Sequence, residues 1–349
     1  MKRSLFLALS ACVSFLSFAQ NNLPVVEVLT KGTKTSLRGL SVVDNNVVWV
    51  SGSGGTVGRS TDAGKTWKWT TVKGFEKKEF RDIEAFSISK AIIMSIDTPA
   101  CILKTIDAGE TWKIVYQNSS KGMFLDAMEF WNEQSGIVVG DPIDNHIFVA
   151  RTFDEGNTWR EIPLKNQPLA DSGEAMFASS GTNVRVLDLD EAVFVTGGMR
   201  SRVFIRDGRT PLPLLQGSES TGANSIAVWD NRSRNGGKTM IVVGGDFVKP
   251  ASDSLNSAYS NDRGKTWKAP KTRPHGYRSC VEYLSKTQLV TCGINGVDYS
   301  TDGGVNWSLV SKEGFNSCRK AKNGNAVYFA GNNGKVGKLT PAAAPSAKQ

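Results

Sequence analysis

The chain has 349 residues, 40% of them hydrophobic, enough to bury a large core. Lysine and arginine number 42 against 33 aspartates and glutamates, a formal charge of +9 that suits nucleic acid, an anionic surface or an acidic ligand. After the first twenty residues no stretch has the ~20 apolar residues of a spanning helix, and the five cysteines lack metal-ligand spacing. A transmembrane anchor, a metal centre and a cofactor are therefore not expected.

The N-terminus reads MKRSLFLALSACVSFLSFAQ. Lys2 and Arg3 form a basic head, Ser4 to Phe18 an apolar run, and Ser17-Phe18-Ala19 a small-x-small end. That is the grammar of a secretory signal peptide over residues 1–19, with cleavage after Ala19. Leu9 to Cys12, LSAC, also fits a lipobox, which would put a lipid on Cys12; the apolar run beyond it favours simple cleavage. Export to the periplasm or medium argues against nucleic acid. Four cysteines then remain: Cys101, Cys280, Cys292 and Cys318. Cys280 and Cys292 flank a hairpin centred near Lys286, and two readings stand: a pair facing across two strands, or buried free thiols.

Residues 23–29, LPVVEVL, form a strand without a local partner. From there one local pattern recurs. A first strand leads to an apolar second strand ending in glycine or aspartate, then a third strand, a polar turn and a fourth strand. The second strands read VVWVSG, AIIMSID, GIVVGD, AVFVTGG, MIVVGGD, LVTCG and VYFAG, seven in all. The turn is STDAGKTW at 60–67 and returns as TIDAGETW, TFDEGNTW, SNDRGKTW and STDGGVNW. Its aspartates, Asp62, Asp107, Asp154, Asp262 and Asp302, are spaced 45, 47, 108 and 40 residues apart. The long gap spans two periods, and Asp207-Gly208 in its middle resembles a decayed copy. Four short strands at a period near 45 residues describe one propeller blade. The expected fold is all-β: a seven-bladed β-propeller of four-stranded antiparallel blades over residues 23–340. The last unit supplies three strands, so the N-terminal strand closes the ring and removes both edges. Residues 341–349, PAAAPSAKQ with its preceding Thr340, read as a disordered tail.

In each turn the aspartate can accept bonds from nearby backbone N–H groups, and the glycine two residues on can take positive φ. The tryptophan starts the outer strand and buries its ring in the sheet. A pattern distributed five times with those roles is architectural, so no catalytic residue is assigned to it.

These strings are Asp-box repeats, Ser/Thr-x-Asp-x-Gly-x-Thr-Trp. They resemble those of sialidases, some glucan-degrading propellers, sortilin-type receptors and, most closely, the photosystem II stability and assembly factor family. GIVVGDPIDNHIFVARTFDEGNTW and VVWVSGSGGTVGRSTDAGKTW carry the resemblance, which covers about residues 25–340. It implies a seven-bladed scaffold that binds another protein without catalysis. Sialidases carry Arg-Ile/Leu-Pro before the first box; here the stretch before Asp62 has LRGL instead. A carbohydrate-active enzyme or a glycan-binding module is the alternative.

In a propeller the first strand of each blade lines the channel. Aligning LRGL, FRDI, FLDA, GEAM, ANSI, YRSC and FNSC places Arg38, Arg81, Leu125, Glu174, Asn224, Arg278 and Asn316 at the channel mouth. Arg38, Arg81 and Arg278 fall at the same position of three inner strands, and three guanidinium forks suit a carboxylate or phosphate. The competing reading pairs each arginine with a local acid such as Asp82, Asp126 or Glu282. Loops after the second strands add Asp141, Arg200 and Asp246; Asp141 and Asp246 could work as an acid/base pair, or cap turns. His146 and His275 read as loop residues. The expectation is a monomeric, exported, non-catalytic scaffold for an envelope or extracellular protein partner, with an anionic ligand or glycan at the arginine rim.

Overall fold

A computed structural model describes residues 23–31, 33–188, 190–231, 233 and 236–342. The signal peptide over residues 1–19, Cys12 and tail residues 343–349 lie outside the described residues. Seven antiparallel sheets follow one another along the chain as a seven-bladed β-propeller, with one short 3-10 turn at Leu164–Asn166. Blade 1 is representative: Leu37–Val42, Val48–Gly52, Thr56–Ser60 and Lys68–Thr71 pair in sequence order.

The second strands are apolar throughout because a neighbouring blade covers each face. Val48–Gly52 is buried at every residue, whereas the outer strand Lys68–Thr71 alternates with solvent at its ends. Blades pack side by side: Trp49 of blade 1 meets Ile83, Ile93 and Leu103 of blade 2 in one cluster, all essentially inaccessible. Aliphatic side chains buried this fully contribute about 1.5–3 kcal/mol each. The contact repeats between blades around the ring, and it closes where Leu37, Val48 and Val50 of blade 1 meet Tyr328, Ala330 and Val336 of blade 7.

The N-terminal strand closes the ring as expected. Val25–Lys31 pairs antiparallel with Lys335–Thr340, from Val25 opposite Thr340 to Lys31 opposite Lys335. The seventh blade is therefore made from both ends of the chain.

The Asp-box turns are fasteners both within and between blades. Ser60 Oγ and the Thr66 amide donate to Asp62 Oδ1, each at 2.9 Å, and the Thr66 hydroxyl donates to Oδ2 at 2.6 Å. The Gly64 amide donates to Ser60 Oγ at 2.9 Å. The same carboxylate bonds recur at Asp107, Asp154, Asp262 and Asp302, with Asn306 standing for threonine in the last. The threonine hydroxyl and then its amide hold the Asp62, Asp107 and Asp262 carboxyls down at about 2. The box glycines adopt φ of 72° to 89°. They also touch the preceding blade: a Cβ on Gly64, Gly156 or Gly304 would lie 2.5, 2.4 and 2.4 Å from Leu29, Ile92 and Ile241. Both facts require glycine there. At the decayed fourth position, Arg206 and Asp207 form a two-residue turn between Ile205 and Gly208.

Blade 4 departs from the expected alignment. Its innermost strand is Val184–Val186, not Gly173–Met176. Glu174–Ala175 instead pairs with Gly197–Gly198, which continues onto Gly222 of blade 5. The extra length of this unit, residues 176–183, enters the central channel. Ser179 Oγ donates to Asn224 of blade 5, Ser180 Oγ to the Ser279 carbonyl of blade 6, and Thr182 Oγ1 to Ser225 Oγ of blade 5. Arg38 of blade 1 and Arg319 of blade 7 donate to its carbonyls. Gly181, at φ 65°, leaves only 2.3 Å between an added Cβ and the Asp82 carboxylate of blade 2. The segment is a plug, and a cavity lies on each side of it.

Two outcomes test this architecture. Asp107→Ala strands the Thr111 donors and should lower the melting temperature by several degrees while leaving ligand affinity unchanged; lost affinity at full stability would contradict a structural role. Deleting residues 25–31 bares the edge of Lys335–Thr340 and should produce aggregation and an earlier melt. A monomeric truncate with an unchanged melting curve would contradict closure by this strand.

Candidate functional site

The upper cavity sits where inner strands begin and second strands end, on the face opposite the Asp-box turns. Its volume is ≈ 450 Å³. A repeated backbone irregularity builds its wall. In blades 1, 2, 3 and 5 the pairing of inner and second strand skips one residue: Arg38, Arg81, Asp126 and Asn224. An extra residue in a β-bulge leaves the ladder and re-aims its side chain. Ser279 and Asn316 occupy the matching place in blades 6 and 7, where their amides bond Cys292 O and Ala330 O beside the first paired residue.

This register corrects the alignment in three blades. In blade 3 the residue that leaves the ladder is Asp126, one beyond Leu125; both are fully buried and neither lines the cavity. In blade 6 the matching residue is Ser279, one residue beyond Arg278. Arg278 is fully enclosed: its Nε donates to Asp298 Oδ2 at 2.6 Å, and its Nη1 donates to Tyr277 O at 2.8 Å and Asn295 Oδ1 at 2.6 Å. Asp298 also receives the His275 backbone amide and pairs with its Nδ1 at 2.5 Å. Arg278 is thus neutralised in a buried ion pair, and the three-arginine arc is not assembled. In blade 4, Glu174 turns away from the axis, where Arg202 Nε donates to it at 2.9 Å and the Asp171 amide at 2.8 Å.

The other expected rim residues also separate. Arg200 is exposed, with Nε 3.6 Å from Asp171. Asp246 is buried and accepts the Val248 amide at 3.0 Å, a turn-capping role. It does not line the cavity that Asp141 lines, so no Asp141–Asp246 acid/base pair forms. His146 bonds the Asp144 carbonyl in its own loop. Arg38, Arg81 and Asp141 share the cavity.

Their electrostatic situations differ. Arg81 forks onto Glu79 Oε2, Nε at 2.8 Å and Nη2 at 2.6 Å. Arg38 donates to the Ser179 carbonyl at 3.2 Å, and among the described residues no carboxylate lies within ion-pair distance of it. Burial, then the neighbouring Arg81 charge, pushes its pKa below the usual guanidinium value; the group still keeps its proton at any working pH. Asp141 accepts the Met176 amide at 2.8 Å, and burial pushes its carboxyl up to about 6. Asp126 is inaccessible, with neither oxygen hydrogen-bonded, and burial followed by the nearby Asp141 charge holds it well above the usual range. The charged groups on the wall are Arg38, the Arg81–Glu79 pair and, above about pH 6, Asp141.

The other half of the cavity is apolar. Phe247 lies edge-on between Phe177 and Tyr277, with centroids at 5.7 and 6.3 Å, and Ile294 adds to this wall. Phe247, Ile294 and the nearby Val248 are 41%, 46% and 68% exposed, an apolar rim on blades 5 and 6. The cavity is therefore basic on the side of blades 1 and 2 and apolar opposite. The sequence carried no signal for Phe177 and Phe247, which stand in loops without periodicity.

Comparison with known proteins agrees with the fold. A family model described as BNR/Asp-box repeat matches residues 258–269 and 298–309, the last two full boxes. No curated protein matches the chain in sequence. Among solved structures, YCF48 bound to D1 peptide superposes with a TM-score of 0.64 at 17% identity, covering 91% of this chain and 99% of that one. YCF48 from Cyanidioschyzon merolae gives 0.65 at 15% identity, covering 90% and 99%. The WD40 β-propeller domain of Doa1 gives 0.61 at 13%, covering 90% and 97%. The chain is thus similar in its seven-bladed fold to YCF48, a photosystem II assembly factor, and separately carries BNR/Asp-box repeats.

Asp141 gives the cavity a pH dependence. Its folded pKa, about 6, stands above the ordinary 3.8. The stability it contributes is therefore full below 3.8 and lost as pH rises through about 6. Over the same interval its negative charge appears beside the arginines. Affinity for an anionic ligand should rise severalfold as pH falls from about 7.5 to about 5, and Asp141→Asn should remove most of that dependence. Titration calorimetry at the two pH values would settle it; an identical pH profile in the variant would contradict the assignment.

Proposed function

We propose that this protein is an exported, non-catalytic propeller that binds a segment of a partner protein in the upper cavity, with an acidic group of that segment seated on Arg38. The observation that carries this reading is Arg38 itself: a half-buried guanidinium, facing a cavity of ≈ 450 Å³, without a carboxylate partner among the described residues. Desolvation costs a buried charge dearly, and an incoming carboxylate relieves that cost with a forked hydrogen bond. The apolar wall of Phe177, Phe247 and Ile294 stands ready for a hydrophobic side chain of the same segment. That a similar propeller, YCF48, has been solved with a D1 peptide supports a peptide as the class of ligand.

Export rests on Lys2, Arg3, the apolar run to Phe18 and the small residues at Ser17 and Ala19. A partner in the envelope or outside the cell follows from it; anchoring through Cys12 is the second form. The Asp141–Asp246 pair that a glycosidase would use does not share the cavity, because Asp246 is not among its lining residues.

Binding of a panel of fluorescent acidic–apolar peptides tests the reading. Arg38→Ala should weaken the tightest binder by about ten- to a hundredfold, the equivalent of one shielded charge-assisted hydrogen bond. Arg38→Lys should recover only part, because the fork is lost while the charge stays. Equal affinity in wild type and both variants would place the site elsewhere.

A further inference from the structure

Three thiols converge where blades 6 and 7 meet. The ladder sets Cys280 directly opposite Cys292 on neighbouring strands, and Cys318, from the inner strand of blade 7, packs against them. All three are fully buried, and Cys280 Sγ meets the backbone of Cys318 at both its amide and its carbonyl, each at 3.3 Å. Cys101 is remote from this group, in the cluster between blades 1 and 2.

Cys280 differs from its neighbours in what surrounds its sulfur. The Cys318 amide donates to it at 3.3 Å and Arg319 Nη1 at 3.4 Å, and the sulfur lies 3.3 Å from the Cys318 carbonyl, to which the thiol donates. Arg319 has no carboxylate within ion-pair distance among the described residues. Its other bonds go to the carbonyls of Cys318, Ser180 and Gly181. Cys280 Sγ, 3.4 Å from Nη1, is therefore the side-chain atom it meets, with Asp82 and Glu282 acting from farther away. Burial alone would raise the Cys280 thiol; hydrogen bonds from Cys292 and Cys318 and the Arg319 charge outweigh it and hold it well below the usual range. Burial pushes Cys292 and Cys318 the other way. A sulfur beside a guanidinium and directly across the ladder from a second cysteine is the arrangement of an attacking sulfur beside its resolving partner.

Access comes from the lower cavity, ≈ 330 Å³, whose wall includes Arg319 and Gly181. Arg319, whose Nη1 lies 3.4 Å from Cys280 Sγ, is the residue that borders both. Directly opposed antiparallel residues have Cα atoms ~4.5–5.5 Å apart, inside the ~4.4–6.8 Å span of a disulfide.

We propose that Cys280 and Cys292 are a redox-active pair that reacts with a low-molecular-weight disulfide, Cys280 attacking and Cys292 resolving. The Cys280 thiolate attacks one sulfur of the oxidant, forming a mixed disulfide and expelling a thiolate. Cys292 then gives up its proton and displaces the second thiol from Cys280. The protein loses two electrons and gains a cross-strand disulfide, and the oxidant is reduced to two thiols.

The test uses the full chain incubated with oxidised glutathione, then acid-quenched, unfolded, alkylated and mapped by mass spectrometry. The expected product links the Cys280 and Cys292 peptides, reverts with dithiothreitol, and leaves Cys101 and Cys318 alkylated. Cys292→Ser should stop at a stable glutathione adduct on Cys280. Arg319→Gln, checked for folding by circular dichroism, should slow the reaction by about tenfold or more. Full alkylation of Cys280 and Cys292 after oxidation, a link through Cys318 or Cys101, or an adduct on another cysteine would overturn the pairing. An unchanged rate in a folded Arg319→Gln would overturn the activation of Cys280.

Discussion

The pairing of Val25–Lys31 with Lys335–Thr340 is the constraint from which the rest of this structure follows. Each blade covers its apolar second strand with the next blade, so an open row of seven would leave one face bare at each end and two strand edges unpaired. Closing the row into a ring removes all four liabilities at once. It also forces seven inner strands to converge on one axis, and convergence fixes what can happen there. Side chains that leave the ladder at Arg38, Arg81 and Asp126 have only the central channel to enter.

The Asp-box turns serve the same end from the periphery. Each carboxylate gathers three donors from its own turn, and the glycine two residues later lies against the preceding blade. A turn held rigid from within becomes a surface against which the neighbour can pack without a side chain between them. The depressed acidity of Asp62, Asp107 and Asp262 is the electrostatic mark of that arrangement, because a carboxylate accepting three hydrogen bonds resists protonation. The seventh blade has no box, and pairing between the two ends of the chain holds it instead.

In the channel, polar chemistry is organised around the plug at residues 176–183. Its carbonyls receive Arg38 from above and Arg319 from below, so two guanidinium groups on different blades are anchored by one segment. Neither arginine has a carboxylate at ion-pair distance among the described residues, and each faces its own cavity. The plug thereby turns one channel into two chemically distinct sites. The upper one combines a bare cation with an aromatic wall; the lower one lies next to a sulfur cluster. Acids nearby respond to the same low-dielectric setting, and burial pushes Asp82 up to about 8.

The sequence determined the architecture because every signal for it is local. A box of eight residues defines a turn, an apolar run ending in glycine defines a second strand, and counting those runs gave seven blades. The strand at 23–29 without a neighbour, set against a last unit with three strands, predicted the closure. Positions along the channel were less legible. Arg38, Arg81, Asn224 and Asn316 fell where the alignment placed them, but Leu125 and Arg278 were each one residue away from the true bulge. In a strand one residue reverses the face: Arg278 points into the blade toward Asp298, and Asp126, not Leu125, leaves the ladder. The substitution of Val184–Val186 for Gly173–Met176 as the inner strand of blade 4 was hidden for another reason. Either stretch can pair locally, and only the space inside the closed ring decides which one lines it and which segment fills it. The local hydrogen bonds of a turn are written in consecutive residues, whereas the partners of Arg38, Glu174, Cys280 and Arg278 are chosen by which strands the ring brings side by side.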